Sequence, residues 1–210
     1  MRPGTLETVR ALTDNRNPMH LEGWCWMEKA VAMCELIERE KPALVVELGI
    51  FGGRSMLPQA LQLKDNGHGV IFGMDPWTRP AALEGDHSAA DAMWWAGINL
   101  DRIMSKFLGM IVNLGLIDVA IPIRATSHAA APLFPLGVID ILHVDSNHSE
   151  LVSMRELALY VPRVRARGYI WLDDLGWATN QAAVRELDST CETIMDVKSD
   201  AGWCRLYRKP

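Results

Sequence analysis

Three aspartates and a histidine follow two apolar segments in the second half of the sequence. The first segment ends at Asp145 and is followed by His148, and the second ends at Asp173 and Asp174. If the two segments are neighbouring parallel strands, their carboxyl ends meet at one edge of a sheet. Three carboxylates so close together repel each other unless they share a cation. The spacing therefore predicts that Asp145, Asp173 and Asp174 bind Mg²⁺, or Ca²⁺ or Mn²⁺ in its place.

Each of these side chains also has a plainer interpretation. Asp174 could cap the helix that follows it, and Asp145 could bind a cofactor or a backbone amide. His148 could be structural or lie on the surface. An imidazole beside a carboxylate cluster is also suited to remove a proton near neutrality, because its unperturbed pKa is about 6.5. The residue types alone leave both interpretations open.

A glycine-rich turn follows an earlier apolar segment. Residues 47–55 read ELGIFGGRS, and Asp75 ends the next apolar segment. Glycines let the chain turn tightly and let a ligand approach the backbone, and the following helix offers free N–H groups. The carboxylate of Asp75 could accept hydrogen bonds from both ribose hydroxyls of a nucleoside. Phe51 replaces the middle glycine of a dinucleotide fingerprint, which disfavours NAD. The alternative is a turn needed only for packing.

Apolar strand-like segments alternate with helical patterns along the chain. Strands are predicted at 43–49, 69–75, 118–123, 138–145 and 169–174, with weaker runs at 193–197 and 203–207, and helices at 21–40, up to about 65, 86–116, 151–161 and 180–191. This alternation predicts a doubly wound α/β fold with a mostly parallel sheet, whose ligands bind at the carboxyl ends of the strands. We expect one domain over 1–210, with an N-terminal arm and helical cap in 1–42 and the α/β core in 43–210.

Composition excludes several classes of protein. The chain is 49% hydrophobic and 22% charged, as in ordinary globular proteins, and its net charge of −5 provides no broad basic surface for nucleic acid or anionic lipid. The longest charge-free run, 125–139, is short for a bilayer and holds two prolines. The N-terminus lacks the apolar stretch of a signal peptide, so a cytoplasmic location is expected. Four widely spaced cysteines predict free thiols rather than a zinc site.

The segment VVELGIFGGRS, residues 45–55, resembles the first motif of class I S-adenosylmethionine-dependent methyltransferases. More narrowly, it is similar to bacterial small-molecule O-methyltransferases related to the macrolide-sugar, aminocoumarin and catechol enzymes, and the likeness runs from about 23 to 177. The resemblance implies a cofactor site made by Glu47 at the methionine amino group, Gly49, Phe51, Gly53 and Ser55 around the amino-acid part, Asp75 at the ribose, and Thr126 and Ser127 beside the adenine, with Asp145 nearby.

The same resemblance implies a metal and a base. The metal-dependent members place a ligand carboxylate at the positions of Asp145, Asp173 and Asp174. The catechol-type members carry a lysine base where His148 stands, and the sugar enzymes usually have glycine where Ser146 stands. The implied reaction is transfer of a methyl group to a hydroxyl of a sugar, phenol or natural product. A Mg²⁺ ion would acidify that hydroxyl, and His148 would take its proton.

Two other functions are compatible with these motifs. Relatives named as cephalosporin hydroxylase components share the glycine turn and the acids, and a non-catalytic partner protein could bind the cofactor alone. The pair Trp94 and Trp95 could form a lid over a ring-shaped substrate, pack between helices, or lie at the subunit interface of a homo-oligomer.

Overall fold

A seven-stranded sheet forms the centre of the protein. The computed structural model describes residues 1–210. The strands are β1 Leu44–Leu48, β2 Val70–Met74, β3 Ala120–Ile123, β4 Ile139–Val144, β5 Val164–Leu172, β6 Glu192–Ser199 and β7 Gly202–Arg208. Their order is β3-β2-β1-β4-β5-β7-β6, with β7 antiparallel to both of its neighbours and the other pairs parallel. The predicted doubly wound, mostly parallel sheet is confirmed.

Helices cover both faces of this sheet. They are α1 Pro3–Thr13, α2 Met27–Glu40, α3 Met56–Asn66, α4 Arg79–Ala82, α5 Ala89–Gly97, α6 Leu100–Asn113, α7 Ser127–Ala130, α8 Glu150–Tyr160 and α9 Gln181–Thr190. One buried apolar cluster joins α1, α2, α3 and α6 to the sheet, and a second joins α7, α8 and α9 to it. Strands covered on both faces need nearly continuous apolar sequence, which is why β1 and β4 were recognisable as short hydrophobic runs.

The N-terminal region differs from the prediction. The helix expected over 21–40 begins only at Met27, and residues 3–13 of the predicted arm form α1. Pro3 stands in the first turn of α1, where its missing N–H costs nothing. Val9 and Leu12 are fully buried and dock α1 on the sheet layer. The buried residues Thr5, Val9, Leu12 and Thr13 follow helical spacing, but two of the four are threonines, so the apolar face of the helix is short.

Other boundaries shift by smaller amounts. The long helical segment expected over 86–116 is split into α5 and α6 at Asn99, whose side chain caps α6 by accepting from the Arg102 N–H. Strand β5 begins at Val164, earlier than predicted. None of the helices combines the length and the apolar character that crossing a membrane requires.

Strand order places the acids and the glycine turn at one edge. Strand β1 lies between β2 and β4, so the connections leave the sheet in opposite directions on either side of it. Ligands of doubly wound sheets bind in the crevice at such a point. Glu47 pairs in register with His143, and Val144 pairs with Leu172. The residues that follow these strands therefore emerge side by side.

Candidate active site

A cavity of about 440 Å³ opens over the carboxyl ends of the strands. Its volume is in the range of small-molecule sites. Eight of the residues predicted for the site line it: Gly49, Phe51, Asp75, Thr126, Ser127, Asp145, His148 and Asp174. A smaller adjoining cavity of about 50 Å³ is lined by Ser55 and Asp173 together with several of the same residues. The structure thus brings ten of the twelve predicted residues to one connected region.

The glycine turn lies against the loop that follows β4. Gly49 has a φ of +89°, and a Cβ at this position would lie 2.1 Å from the backbone oxygen of Asp145. Asp75 holds the turn from the other side. Its Oδ2 accepts hydrogen bonds from the backbone N–H groups of Ile50 and Phe51 at 3.1 and 2.8 Å, and its Oδ1 accepts from that of Trp77 at 2.7 Å. Asp75 therefore both stabilises the turn and lines the cavity.

Glu47 and Gly53 line neither cavity. Glu47 is fully buried, and its carboxylate accepts hydrogen bonds from Ser55 Oγ and Gln59 Nε2, each at 2.7 Å. Gly53 has a φ of +79°, and an added Cβ would clash with the ring of Phe107 on α6. The two residues belong to the predicted turn but lie behind the cavity wall. In this structure the carboxylate of Glu47 is held by Ser55 and Gln59.

Lys29 occupies the space between two of the predicted metal ligands. It comes from α2, and its side chain is only 1% exposed. Its Nζ donates to Asp145 Oδ2 at 2.9 Å and also to Asp173 Oδ2. Burial alone would lower the pKa of Lys29, but the neighbouring groups, first among them the carboxylate of Asp145, together outweigh it and raise the pKa above the ordinary value. Lys29 was not predicted from the sequence. Its position four residues before Met33, on the buried face of an amphipathic helix, indicates a buried lysine that needs a charged partner.

The three aspartates do not surround one point. The triples of acidic and histidine side chains with ligand atoms within 4.8 Å of one another are His143, Asp145, Asp173 and Asp145, His148, Asp174. Asp173 pairs with Lys29, whereas Asp174 pairs with His148. A divalent ion on the predicted set would lie beside the Lys29 ammonium, and like charges repel strongly in a buried site. The residues as arranged do not fit a divalent cation shared by Asp145, Asp173 and Asp174.

His148 and Asp174 form a close charged pair in the cavity wall. The distance from His148 Nε2 to Asp174 Oδ2 is 2.8 Å, and the ring of Trp177 lies 4.9 Å from the imidazole. Burial alone would lower the pKa of His148, but Asp174, together with the charges of Asp145 and Glu156, outweighs it and raises this pKa above the ordinary value. An imidazole that is oriented by a carboxylate and faces a cavity can accept a proton from a ligand.

Four aromatic rings line the cavity and contact one another, and we call them the aromatic cover: Trp24, Phe51, Trp94 and Trp95. Trp24 stacks on Phe51 with ring centroids 5.3 Å apart, and the two rings of Trp94 and Trp95 meet edge to face at 4.9 Å. Trp24 is 62% exposed. Of the roles considered for Trp94 and Trp95, this geometry favours a lid. The contribution of Trp24 was not predicted, since it precedes α2 in the N-terminal region.

Glu156 is a further acid that sequence reasoning missed. It lies on α8, is 1% exposed and lines the cavity. Ser146 Oγ donates to its Oε1 at 2.6 Å, whereas its buried Oε2 has no partner. Burial raises the pKa of Glu156 to about 7. This side chain therefore changes its protonation state near neutral pH in the folded protein.

The four cysteines are free, as predicted, and three of them are buried.

Comparisons with known proteins assign the family. Residues 46–175, more than half of the chain, match a family described as a methyltransferase domain. No match was found among curated protein sequences.

Solved structures with the same fold include several methyltransferases. The O-methyltransferase NovP has 14% identity and a TM-score of 0.70, with 98% of this chain and 94% of that chain covered. The O-methyltransferase TomG from Streptomyces achromogenes, in complex with SAM, has 13% identity and a TM-score of 0.64, with 100% and 91% covered. The SAH-bound methyltransferase PaMTH1 from Podospora anserina has 14% identity and a TM-score of 0.64, with 100% and 89% covered. With its sheet order, its cavity at the strand ends and the sequence match over residues 46–175, this chain belongs to the methyltransferase domain family.

Proposed function

We propose that the protein transfers the methyl group of S-adenosylmethionine to a hydroxyl group of a small molecule. The observation that carries the proposal is the continuity of the cavity, which runs from Asp75 at the end of β2 to the pair of His148 and Asp174. The cavity wall thus holds both an acid suited to bind a nucleoside and an imidazole suited to act as a base. A transferase needs both in one enclosed space, so that the methyl donor and the acceptor can be held at reacting distance.

The cofactor half of the cavity is formed by the glycine turn and by the ends of β2 and β3. The backbone partners of Asp75 take about three of the four lone-pair directions of its carboxylate, so Oδ1 can still accept from a ribose hydroxyl. Thr126 and Ser127 line the cavity beside it and are proposed to border the adenine. Gly49 and Ser55 line the smaller cavity, where the amino-acid part of the cofactor would lie. The neighbours TomG and PaMTH1, which were solved with SAM and SAH, support this choice of cofactor.

His148 is proposed as the general base. The Nε2 of the imidazole lies against Asp174 Oδ2, which leaves Nδ1 to receive a proton. In the proposed reaction the acceptor oxygen attacks the methyl carbon, the carbon–sulfur bond breaks, and its electron pair stays on sulfur as S-adenosylhomocysteine forms. The hydroxyl proton passes to His148. Asp174 stabilises the imidazolium that results, as a carboxylate does for other catalytic histidines.

Metal assistance, which the resemblance implies, is not part of the proposed mechanism. The ammonium of Lys29 already lies between Asp145 and Asp173. A cation bound instead by Asp145, His148 and Asp174 would coordinate the imidazole and remove it as a base. When bound, a divalent ion would acidify the acceptor hydroxyl. The His148–Asp174 pair provides another route for removing the same proton.

A net charge of −5 attracts neither nucleic acid nor anionic membranes. We therefore propose that the binding partner is a small molecule. The aromatic cover favours an acceptor with a flat or apolar ring, because such rings stack on indole side chains. We accordingly propose a phenol, a glycoside or a similar natural product as the acceptor.

Calorimetry with S-adenosylmethionine, S-adenosylhomocysteine and NAD tests the cofactor. We expect both sulfur compounds to bind and NAD not to bind. Asp75→Asn should weaken binding of S-adenosylhomocysteine by about 1–3 kcal/mol, whereas the exposed Asp118→Asn should not. Labelled S-adenosylmethionine with a panel of phenols, sugars and glycosides then tests transfer. NAD binding more tightly would contradict the proposal, and cofactor binding without transfer to any acceptor would favour the non-catalytic partner or a hydroxylase-like relative.

A further inference from the structure

The ammonium of Lys29 lies where the resemblance places a metal ion. Lys29 extends from α2 into the carboxyl ends of β4 and β5 and donates to Asp145 and Asp173. Its side chain and that of Asp173 are 1% and 7% exposed. Solvent has little access to an ion pair this deeply buried, so water cannot take the place of either charged partner. The lysine is therefore part of the site that Asp145 lines.

Among the groups close to Lys29, the carboxylates of Asp145 and Asp173 carry the negative charge. The thiols of Cys25 and Cys204 also lie close to it, but burial raises the pKa of each to about 12, so both are neutral. The Nζ of Lys29 is 5.8 Å from the centre of the Trp26 ring, which is favourable for a cation. The carboxylates and this ring together satisfy one positive charge.

Without that charge, the two carboxylates would be uncompensated. Asp145 Oδ2 is also 3.5 Å from Nε2 of the fully buried His143, whose Nδ1 is 3.2 Å from Glu47 Oε2. Three acids thus approach one another through this ring. Close carboxylates in a buried site are strongly destabilised unless a cation neutralises part of their charge. Some cation must be present, and the chain itself provides one.

We propose that Lys29 is a built-in replacement for the divalent cation, so that this protein has no tight metal site at Asp145, Asp173 and Asp174 and transfers methyl groups without one. Lys29 is a positioning residue, because it holds Asp145 at the cavity wall through the ion pair. The part about transfer rests on the proposed function. The part about metal binding does not, since it concerns only the charges at the strand ends.

The proposal predicts that removal of the ammonium creates a metal site. Lys29→Met keeps most of the aliphatic length of the side chain but leaves Asp145 and Asp173 without a counter-ion. A divalent cation should then bind where the ammonium was, between Asp145 and Asp173, whose ligand atoms lie within 4.8 Å of one another and of His143. Lys198→Met is the matched control, because Lys198 is exposed at the far edge of the sheet on β6.

The protein of residues 1–210 is cleared of metals with EDTA, freed of the chelator and titrated with Mn²⁺, and free Mn²⁺ is followed by electron paramagnetic resonance. We expect only weak binding to the wild type and to Lys198→Met, and binding at least about tenfold tighter to Lys29→Met, since a buried unit charge is removed. Tight Mn²⁺ binding to the wild type would overturn the proposal. A folded Lys29→Met that binds Mn²⁺ no better than the wild type would overturn it as well.

Folding provides a second measurement. If Lys29→Met melts early or is unfolded in EDTA, Mn²⁺ should raise its melting temperature, because the ion restores the missing charge. The double variant Lys29→Met, Asp173→Asn should fold more stably than Lys29→Met alone, since it leaves one carboxylate fewer unpaired. If neither Mn²⁺ nor the second substitution restores stability, Lys29 acts through packing alone and the proposal is wrong.

Calorimetry with S-adenosylhomocysteine in EDTA separates this inference from the proposed function. We expect the wild type to bind the compound equally well with EDTA and with Mg²⁺, and, once an acceptor is found, to show equal turnover in both. Turnover that requires Mg²⁺ would overturn the inference alone. Absence of cofactor binding under every condition would contradict the proposed function, while the Mn²⁺ titration would still decide the role of Lys29.

Discussion

His148 Nε2 lies 2.8 Å from Asp174 Oδ2, a charged contact that connects the loop after β4 to the loop after β5. Asp174 has a φ of +53°, in the left-handed region, which aspartate and asparagine adopt more readily than most residues. Its carboxylate raises the pKa of His148 above the ordinary value despite the burial of the imidazole. Activity that needs neutral His148 should therefore rise with pH through this raised pKa.

Asp174→Asn should move the rising limb of the rate profile to lower pH, because it removes the charge that favours the imidazolium. Asparagine is chosen since it tolerates the backbone conformation of Asp174. The pKa of His148 can be measured without an acceptor, by following its ring carbon in NMR spectra against pH. The ion pair also stabilises the folded protein at low pH, and this contribution is lost as pH rises through the raised pKa.

The control for this experiment is Asp200→Asn, which alters an exposed acid in the turn between β6 and β7. It should leave the titration of His148 unchanged. A His148 pKa that is the same in wild type and Asp174→Asn would show that the contact with Asp174 does not determine the protonation state.

His148→Gln should lower kcat by about 10²–10⁴-fold, the usual contribution of a general base, and leave the affinity for S-adenosylhomocysteine unchanged. The residual rate should increase with pH, since hydroxide can then remove the acceptor proton. Turnover and calorimetry on the same preparations check both points. A merely structural histidine would instead show a lower melting temperature, weaker cofactor binding and a rate profile of unchanged shape.

Glu156→Gln should stabilise the protein above pH 7 and have little effect near pH 4. Burial raises the pKa of Glu156 from its ordinary 4.5 to about 7, so the folded state holds a proton that the unfolded state releases. Stability therefore falls as pH rises between these values, by on the order of 3 kcal/mol at the upper end. Denaturant unfolding at several pH values measures this difference. Glu150→Gln, an exposed change on the same helix, should have no such pH dependence.

Gly49→Ala should destabilise the protein by about 3 kcal/mol or more, since a Cβ would combine a strained φ with a clash against the Asp145 carbonyl. Gly109→Ala is the matched control with the opposite expected effect on stability, because Gly109 lies within α6 with open space around its Cα. That change should stabilise by about 0.5–1 kcal/mol. Urea unfolding of both variants gives the comparison, and a neutral effect at Gly49 would contradict the close approach of the two loops.

Trp94→Ala should raise the KM for a ring-containing acceptor by about tenfold, because it removes one ring of the aromatic cover. The affinity for S-adenosylhomocysteine should change less. Met93→Ala is the control, as Met93 is 77% exposed on the same helix and does not line the cavity. An equal loss of cofactor and acceptor binding would show that the cover serves the cofactor instead.

Local sequence patterns determined the order of strands and helices and the position of the cavity. Strand β4 is a run of apolar residues that ends at Asp145, and β1 ends in glycines, so each is recognisable without its neighbours. Once such strands are parallel, their carboxyl ends must share an edge. Asp75 and His148 were predicted for that reason, and both line the cavity. The first helix was missed, because the buried face of α1 is short and its flanks are polar.

Only the tertiary structure decided how the charged groups pair. Lys29 is 116 residues from Asp145 and 144 from Asp173 along the chain, and no local pattern relates them. The carboxylate of Glu47 turns to Ser55 and Gln59 because α3 presents both beside it. Residue type and spacing show which groups emerge at the sheet edge, since they follow from backbone periodicity. Which cation meets which carboxylate depends on how α2 packs across the strands, and that is determined by the folded core.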